Sequence, residues 1–145
     1  MLDCQDRECL AWIAVPGDLT ARDIQQLMHD AVTRRFGATG RPDAPIQFLS
    51  DNGSIYTALD TVCTAERLHL VPITTPKASP ESNGMSEAFV NTLKRDYVSG
   101  ADRGDANTLL DQSAAWIADY NAVAPHSSLG FRSPHQYRTE VLHLV

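Results

Sequence analysis

Short apolar blocks alternate with polar segments along the chain and predict both strands and helices. The run from Cys9 to Val15 (CLAWIAV), closed by Pro16-Gly17, predicts a buried strand. The runs at 46–50 (IQFLS) and 69–73 (HLVPI) predict two more strands. These three strands supply the sheet of the predicted domain.

Helical periodicity fills the intervals between and after these strands. Thr20 stands three residues before Asp23, a capping pattern that opens a helix, and Gly37 supplies its end. Further helices are predicted over 57–67, from 82 or 83 to about 98, and over roughly 106–121. The order strand, helix, strand, helix, strand, helix, helix is typical of an α/β domain.

Length and composition limit the class of protein. The 145 residues, 43% hydrophobic and 21% charged, predict one globular domain over residues 1–145. No apolar stretch approaches the roughly 18 residues of a membrane span, and the amino terminus lacks a signal-peptide pattern. A cytoplasmic location is therefore expected. Three cysteines without a framework pattern argue against a disulfide scaffold or a zinc site and predict free, mostly buried thiols: Cys4, Cys9 and Cys63.

Charge is unevenly distributed. The net charge of −6 argues against a free-standing DNA-binding module, because Lys and Arg dominate phosphate binding. Between Ala122 and Thr139, however, there is no Asp or Glu, and the stretch carries four Arg and His side chains: His126, Arg132, His135 and Arg138.

Two carboxylates form the candidate chemical site. Asp51 follows a predicted strand and begins the turn signal Asp-Asn-Gly, at the strand end where open α/β sheets place their sites. Glu87 lies in the first turn of a predicted helix, with 35 residues between the two (positions 52 to 86). Phosphodiester cleavage and transfer use two divalent ions, and hard ions such as Mg²⁺ prefer carboxylate oxygens. Taken singly, Asp51 is a turn residue and Glu87 a helix-start acid; the combination carries the functional interpretation.

Polar side chains continue along the same helix edge. At 100° per residue, Asn83, Glu87, Asn91 and Lys94 fall within about 40° of one line. Such an edge suits a metal ion beside a phosphate backbone, although a lysine alone would be a solvated surface residue. Asn83, Asn91 and Lys94 are therefore candidate DNA contacts, together with Lys77 in the preceding loop.

Three segments together closely resemble bacterial insertion-sequence transposases with a retroviral-integrase-like catalytic core. They are LSDNGSIY (Leu49–Tyr56), TTPKASPESNGMSEAFVNTLKRDYV (Thr74–Val98) and DYNAVAPHSSLGFRSPHQY (Asp119–Tyr137). The resemblance implies an RNase H-like fold, a mixed five-stranded sheet flanked by helices. It also implies a three-carboxylate site containing Asp51 and Glu87, two Mg²⁺ or Mn²⁺ ions in the complete site, and a DNA contact by Lys94. The implied partners are DNA, as transposon ends and target, and further copies of the chain, most simply in a dimer.

The sequence departs from the family pattern in two places. The first Asp of the family site is expected on the opening strand, whereas MLDCQDRECLAW resembles the stretch after that strand. We therefore expect the essential Asp to lie before Met1 and the core to be amino-terminally truncated; Asp3 is the nearest substitute, and Asp6 is expected to be a turn residue. Ala124 stands where the family often carries Arg or His.

Three functions remain open at this point. The first is metal-dependent DNA cleavage and strand transfer in transposition, with this chain contributing two of three carboxylates. The second is a non-catalytic transposase remnant that folds or dimerises and binds DNA weakly, which the missing Asp favours. The third is an RNase H-like nuclease of another branch, against which the 35-residue spacing, Lys94 and the Tyr-Asn…Pro-His-Ser tail all argue.

Overall fold

The structure is a computed structural model that describes residues 1–38, 40–75, 84–101 and 105–143. These residues belong to two compact units, each with its own apolar core. The first unit comprises Met1 and Leu10–Glu87, and the second comprises Leu2–Cys9 and Ala88–Val145. Within the described ranges, no helix is both long and apolar enough to cross a membrane.

The first unit opens with helix α1 (Ala21–Phe36), whose limits follow local signals. The Thr20 hydroxyl accepts from the Asp23 N–H, and the Asp23 carboxylate accepts from the Thr20 backbone. This reciprocal capping box satisfies two of the N–H groups that a helix start leaves unpaired. Gly37 ends the helix with φ +83°, a left-handed value that a residue with a Cβ adopts only with strain. The predicted start and end of this helix are confirmed.

Two parallel strands form the sheet of the described residues. Strand β1 (Ile46–Ser50) pairs with β2 (Leu70–Thr74), with Phe48 opposite Pro72. The crossover between them contains α2 (Ser54–Thr57) and α3 (Leu59–Arg67), whereas the sequence predicts a single helix over 57–67. The break lies at Ala58, whose ψ of 137° is extended rather than helical. Within the described residues the sheet has these two strands and not the five that the family resemblance implied.

The core of the first unit lies between α1, α3 and one face of the sheet. Helical spacing along α1 brings its buried side chains to one side, where they pack with residues of α3 and β2; the cluster is Ile24, Met28, Val32, Ala65 and Leu70. Phe48 packs against this cluster, whereas Leu49 and Val71 are exposed. Successive side chains of a strand point to opposite faces, so the sheet buries one face and exposes part of the other.

The predicted strand at Cys9–Val15 is wrong. Backbone pairing there is limited to one isolated antiparallel bridge between Leu2 and Cys9, and residues 10–15 have no regular secondary structure. Cys9 and Ala11 are buried, but Trp12 and Val15 are exposed. An apolar run becomes a strand only where a neighbouring backbone supplies a ladder of hydrogen bonds, and the described residues supply none beyond the first positions.

The second unit is helical. Helix α4 spans Gly84–Thr92, and its part from Ala88 onward belongs to this unit. A π-helical turn (Leu93–Tyr97) and a 3₁₀ turn (Val98–Gly100) follow. The sequence predicts one helix to about residue 98, but the wider π turn changes its hydrogen bonding from i→i−4 to i→i−5 after Thr92. The predicted start of that helix, at 82 or 83, lies outside the described residues.

The carboxyl-terminal half of this unit continues with α5 (Ala106–Ala122), close to the predicted 106–121. A 3₁₀ turn (Ser127–Leu129) and α6 (Pro134–Glu140), which were not predicted, complete it. Cys9, Ile117 and Tyr120 form the core of the unit. The three cysteines are free, as expected, but only Cys9 is buried; Cys4 and Cys63 are exposed, so the prediction of mostly buried thiols is wrong.

Candidate metal centre

Asp51 directly follows β1, and its carboxylate is held by the turn that it begins. Its Oδ1 accepts a hydrogen bond from the Gly53 N–H at 2.8 Å, which leaves Oδ2 without a hydrogen bond from any described residue. The side chain is exposed at the carboxyl end of the strand. One oxygen of this exposed carboxylate is therefore fixed in direction, an arrangement suited to a cation ligand.

The turn also ties the ends of the two strands together. The Asn52 side-chain amide donates to the Thr75 carbonyl at 2.7 Å, and the Thr75 N–H donates to the Ser50 carbonyl at 2.9 Å. Thr75 is buried and is the last described residue before α4. The sequence marks Asn52 only as part of a turn signal, because a side-chain bond to a residue 23 positions away has no local sequence pattern.

The charge of the Asp51 carboxylate affects the pKa of Tyr56. Burial is the larger cause that raises the pKa of the Tyr56 phenol, and the negative charge of Asp51 raises it further. Both effects favour the neutral phenol over the phenolate. Tyr56 therefore stays protonated beside the carboxylate at neutral pH and adds no negative charge to the site.

Glu87 lies in the first turn of α4 and is exposed. An acidic side chain in this position is stabilised by the positive end of the helix dipole. Asp51 and Glu87 both belong to the first compact unit. The predicted placement of one carboxylate after a strand and the other at a helix start is confirmed.

The two side chains fit a hard divalent cation by their chemistry. Both offer carboxylate oxygens, the ligands that Mg²⁺ prefers, and their exposure leaves room for the waters that Mg²⁺ retains. Among the described residues there is no group of three or more His, Cys, Asp or Glu side chains placed to hold a metal ion. Asp51 and Glu87 would accordingly provide two protein ligands.

The structure describes two of the four candidate DNA contacts. Asn91, in α4, and Lys94, in the π-helical turn, are both exposed. Asn83 and Lys77 lie outside the described residues. Neighbouring Arg95 pairs with Asp96 on the surface, so it offers less free positive charge than the sequence Lys-Arg indicates.

In the folded chain, carboxylates pair with part of the positive charge of the acid-free stretch at 122–139. Glu8 is buried and accepts from His135 Nε2 at 3.3 Å and from Arg138 Nη1 at 3.4 Å. Arg132 Nε donates to Glu140 at 2.9 Å. The sequence had not singled out Glu8, because its partners lie 127 and 130 residues away.

The amino-terminal acids considered as substitutes for a third ligand have local roles. Asp3 Oδ1 accepts from the Gln5 N–H at 2.8 Å, and Asp6 Oδ1 accepts from the Glu8 N–H at 3.0 Å. Asp6 is buried in a turn, which confirms its expected turn role. Asp3 as a substitute for the first family Asp stays an untested alternative.

Known proteins resemble the chain in sequence. Residues 70–134 match the family model of an integrase core domain. The chain is 51% identical over 138 residues to an uncharacterized protein of insertion element IS136 from Agrobacterium fabrum, a match that covers 94% of this chain and 70% of that protein. It is 45% identical over 136 residues to the transposase InsD of IS2 elements in Escherichia coli, which covers 94% of this chain and 45% of the transposase.

A solved structure resembles the chain in three dimensions. A chain from the cryo-EM structure of a simian T-cell lymphotropic virus intasome matches with a TM-score of 0.62 and 16% identity, over 83% of this chain and 40% of that chain. At this identity the likeness is evidence for fold alone. The fold is that of an RNase H-like integrase core, as the sequence resemblance implied.

Proposed function

Because the chain belongs to the insertion-sequence transposases with an integrase-like core, we propose that it takes part in metal-dependent DNA cleavage and strand transfer. The observation that carries the proposal is the Asp51 carboxylate, exposed at the end of β1 with one oxygen held by the Gly53 N–H. Members of this family generally depend on metal ions. Asp51 and Glu87 are the residues that would hold them.

Each residue of the site has a distinct role in this proposal. When bound, divalent ions activate the attacking oxygen and stabilise the leaving oxygen of a phosphodiester. Asp51 and Glu87 bind and orient the cation, and Gly53 fixes the Asp51 carboxylate. Lys94 and Asn91 contact the DNA backbone, since both are exposed and a lysine ammonium pairs with phosphate. Asn83 and Lys77 are proposed as additional DNA contacts.

Full activity needs a third carboxylate in this proposal. Two carboxylates can hold one hard ion loosely, and a third carboxylate would supply a ligand for the second ion of two-ion chemistry. We therefore expect weak Mg²⁺ or Mn²⁺ binding and no measurable strand transfer from this chain alone. A version extended at its amino terminus by a family strand that bears the first Asp is expected to gain activity. A non-catalytic protein that folds and binds DNA weakly is the second candidate, favoured by the two-carboxylate site.

We also expect the chain to self-associate and to act in the bacterial cytoplasm. Residues 1–145 act together as one catalytic-core domain in the bacterial cytoplasm, on transposon ends and target DNA. Self-association, most simply as a symmetric dimer, is expected because both strands of the described sheet have an edge without a strand partner among the described residues. Light scattering over a micromolar concentration series measures this; a monomer at every concentration contradicts it.

The direct test measures metal binding and activity separately. Isothermal titration with Mn²⁺ compares the chain with Asp51→Asn and Glu87→Gln, which preserve side-chain size and remove the charge. Each variant is expected to lose Mn²⁺ binding while its thermal unfolding is unchanged. In the extended chain, each is expected to abolish Mn²⁺-dependent cleavage of transposon-end DNA. Unchanged metal binding in both variants, or full cleavage by extended Glu87→Gln, contradicts the site.

A second test is geometric. Ligands to two ions about 4 Å apart cannot be widely separated, so the carboxyl carbons of Asp51 and Glu87 are expected within about 10 Å in a Mn²⁺-soaked crystal. A much longer separation in an ordered crystal structure contradicts a shared site.

A further inference from the structure

Phe131 is an exposed aromatic residue in a loop that is otherwise anchored. Its side chain is 76% exposed, whereas Leu129 and Ser133 on either side are buried. Water contact is unfavourable for a phenyl ring, and the ring makes no compensating aromatic contact among the described residues. The buried neighbours hold the loop on the second unit while the ring is directed outward.

The backbone, rather than the ring, sets the position of this side chain. Phe131 has φ +61°, a left-handed value that is an outlier for a bulky residue. The Phe131 N–H donates to the His126 carbonyl at 2.8 Å, and the His126 N–H donates to the Arg132 carbonyl at 3.0 Å. Gly130, also left-handed, donates to the Ser127 carbonyl at 3.2 Å. The loop therefore retains a strained conformation that presents the ring to solvent, and such strain is concentrated at functional positions.

The adjacent residue, Arg132, carries a positive charge whose present partner, Glu140, a phosphate can replace. Arg132 pairs with Glu140 at 2.9 Å, and the two side chains are 43% and 57% exposed. An exposed ion pair contributes little, so a phosphate group can replace the carboxylate. His135 and Arg138 are unsuited to this role because they pair with the buried Glu8.

We propose that Phe131 and Arg132 form a contact for unpaired DNA, in which the Phe131 ring stacks on a nucleobase and Arg132 binds an adjacent phosphate. Every base has a π-face, so an outward aromatic ring binds single strands without sequence preference. The flanking residues are small, polar or basic (Ser127, Ser128, Gly130 and Arg132), which favours a nucleic acid over an apolar protein surface. The inference rests on the proposed function only in taking DNA as the ligand.

The test uses a single-stranded oligonucleotide containing 2-aminopurine, in EDTA so that metal binding has no part. Phe131→Ala is expected to weaken binding on the order of tenfold and to reduce the quenching of 2-aminopurine, because one stacking contact is lost. Phe131→Tyr keeps a ring and is expected to bind like the original chain. Leu59→Ala is the matched control, since Leu59 is equally exposed at 77% and lies in the first unit. Circular dichroism on heating checks that all three variants fold.

Salt dependence separates the two contacts. Arg132→Ala is expected to reduce the slope of log K against log salt concentration by about 0.7, the value for one phosphate contact on a single strand. Phe131→Ala is expected to leave that slope unchanged, because stacking involves no counterion release. Equal affinity of Phe131→Ala and the original chain overturns the inference, as does an equal loss in Leu59→Ala. Loss of self-association in Phe131→Ala without loss of DNA binding would make the ring a protein contact, which also overturns it.

Failure here is distinguishable from failure of the metal site. Mn²⁺ titration of Asp51→Asn tests the carboxylates without DNA, and the 2-aminopurine assay tests Phe131 without metal. Normal Mn²⁺ binding with no effect of Phe131→Ala would retain the proposed function and remove only this inference.

Discussion

Gly53→Ala is expected to weaken metal binding without unfolding the chain. A Cβ at Gly53 would stand 2.8 Å from Oδ1 of Asp51 and 3.4 Å from the Tyr56 ring. Ordinary contact begins at 3.4 Å, so the carboxylate oxygen must withdraw by roughly 0.6 Å. The obstructing atom is the end of a short side chain, and φ of −60° at Gly53 suits alanine. The carboxylate is therefore expected to move while the backbone stays in place.

The size of the effect follows from the role of the Gly53 N–H. Moving Oδ1 strains the 2.8 Å hydrogen bond that orients the Asp51 carboxylate. Loss of a group that orients a metal ligand typically lowers metal affinity by about 10- to 100-fold. Replacing glycine by alanine at a compatible φ also stabilises the fold by about 0.4–1 kcal/mol through the unfolded chain. The expected result is weaker Mn²⁺ binding with an unchanged or slightly raised Tm.

The assay is Mn²⁺ titration calorimetry with parallel thermal unfolding. Gly17→Ala is the matched control, because a Cβ there meets no atom within 4 Å. It is expected to bind Mn²⁺ like the original chain, and Asp51→Asn defines complete loss of the ligand. If Gly53→Ala bound Mn²⁺ as tightly as Gly17→Ala, the carboxylate position would not matter and the reasoning would be refuted. A large fall in Tm would show that the backbone, and not the carboxylate, absorbs the clash.

Three other changes have outcomes that follow from single contacts. Asn121→Ala removes a buried amide that bonds both the N–H and the carbonyl of Cys9, and should lower the urea-unfolding free energy by about 2–3 kcal/mol. Thr20→Ala removes the capping box of α1 and should cost about 1 kcal/mol in the same assay. Burial lowers the pKa of the His126 imidazole, so the folded chain binds fewer protons than the unfolded chain near pH 6. The contribution of His126 to the free energy of unfolding is therefore complete above the unfolded pKa of about 6.5 and is lost as the pH falls below it. His126→Gln should reduce this pH dependence of stability. An identical pH profile of the variant would contradict the prediction.

The positions of the two candidate carboxylates on their elements were predictable from sequence, because both residues lie at local boundaries. Asp51 follows an apolar run and precedes Asn-Gly, and Glu87 follows a proline-containing loop. The strand ends at Ser50, directly before Asp51, and Glu87 lies in the first turn of α4. The support around Asp51 was not predictable, because the distance from its oxygen to Gly53 depends on the exact path of the turn. The same applies to the amide of Asn52 and its contact with Thr75.

Helix limits show where local information suffices. A capping box and a terminal glycine act within four residues, so the ends of α1 could be read directly from Thr20, Asp23 and Gly37. The break at Ala58 and the π turn after Thr92 have no comparable signal. Both depart from regular α-helix within otherwise helical patterns, and packing against neighbours can override such patterns.

The sequence by itself determined the family, through three motif segments between Leu49 and Tyr137. It also determined the ends of the capped helix and the position of the Asp51 turn, because these depend on residue types a few positions apart. Only the tertiary structure decided whether an apolar run became a strand and which charges were paired. Among the described residues, the Cys9–Val15 run has one isolated bridge, at Cys9, and no ladder. The buried Glu8 pairs with His135 and Arg138 from the far end of the chain. Hydrogen bonds and ion pairs of this kind depend on which distant segments come into contact, and periodicity along the sequence does not predict those contacts.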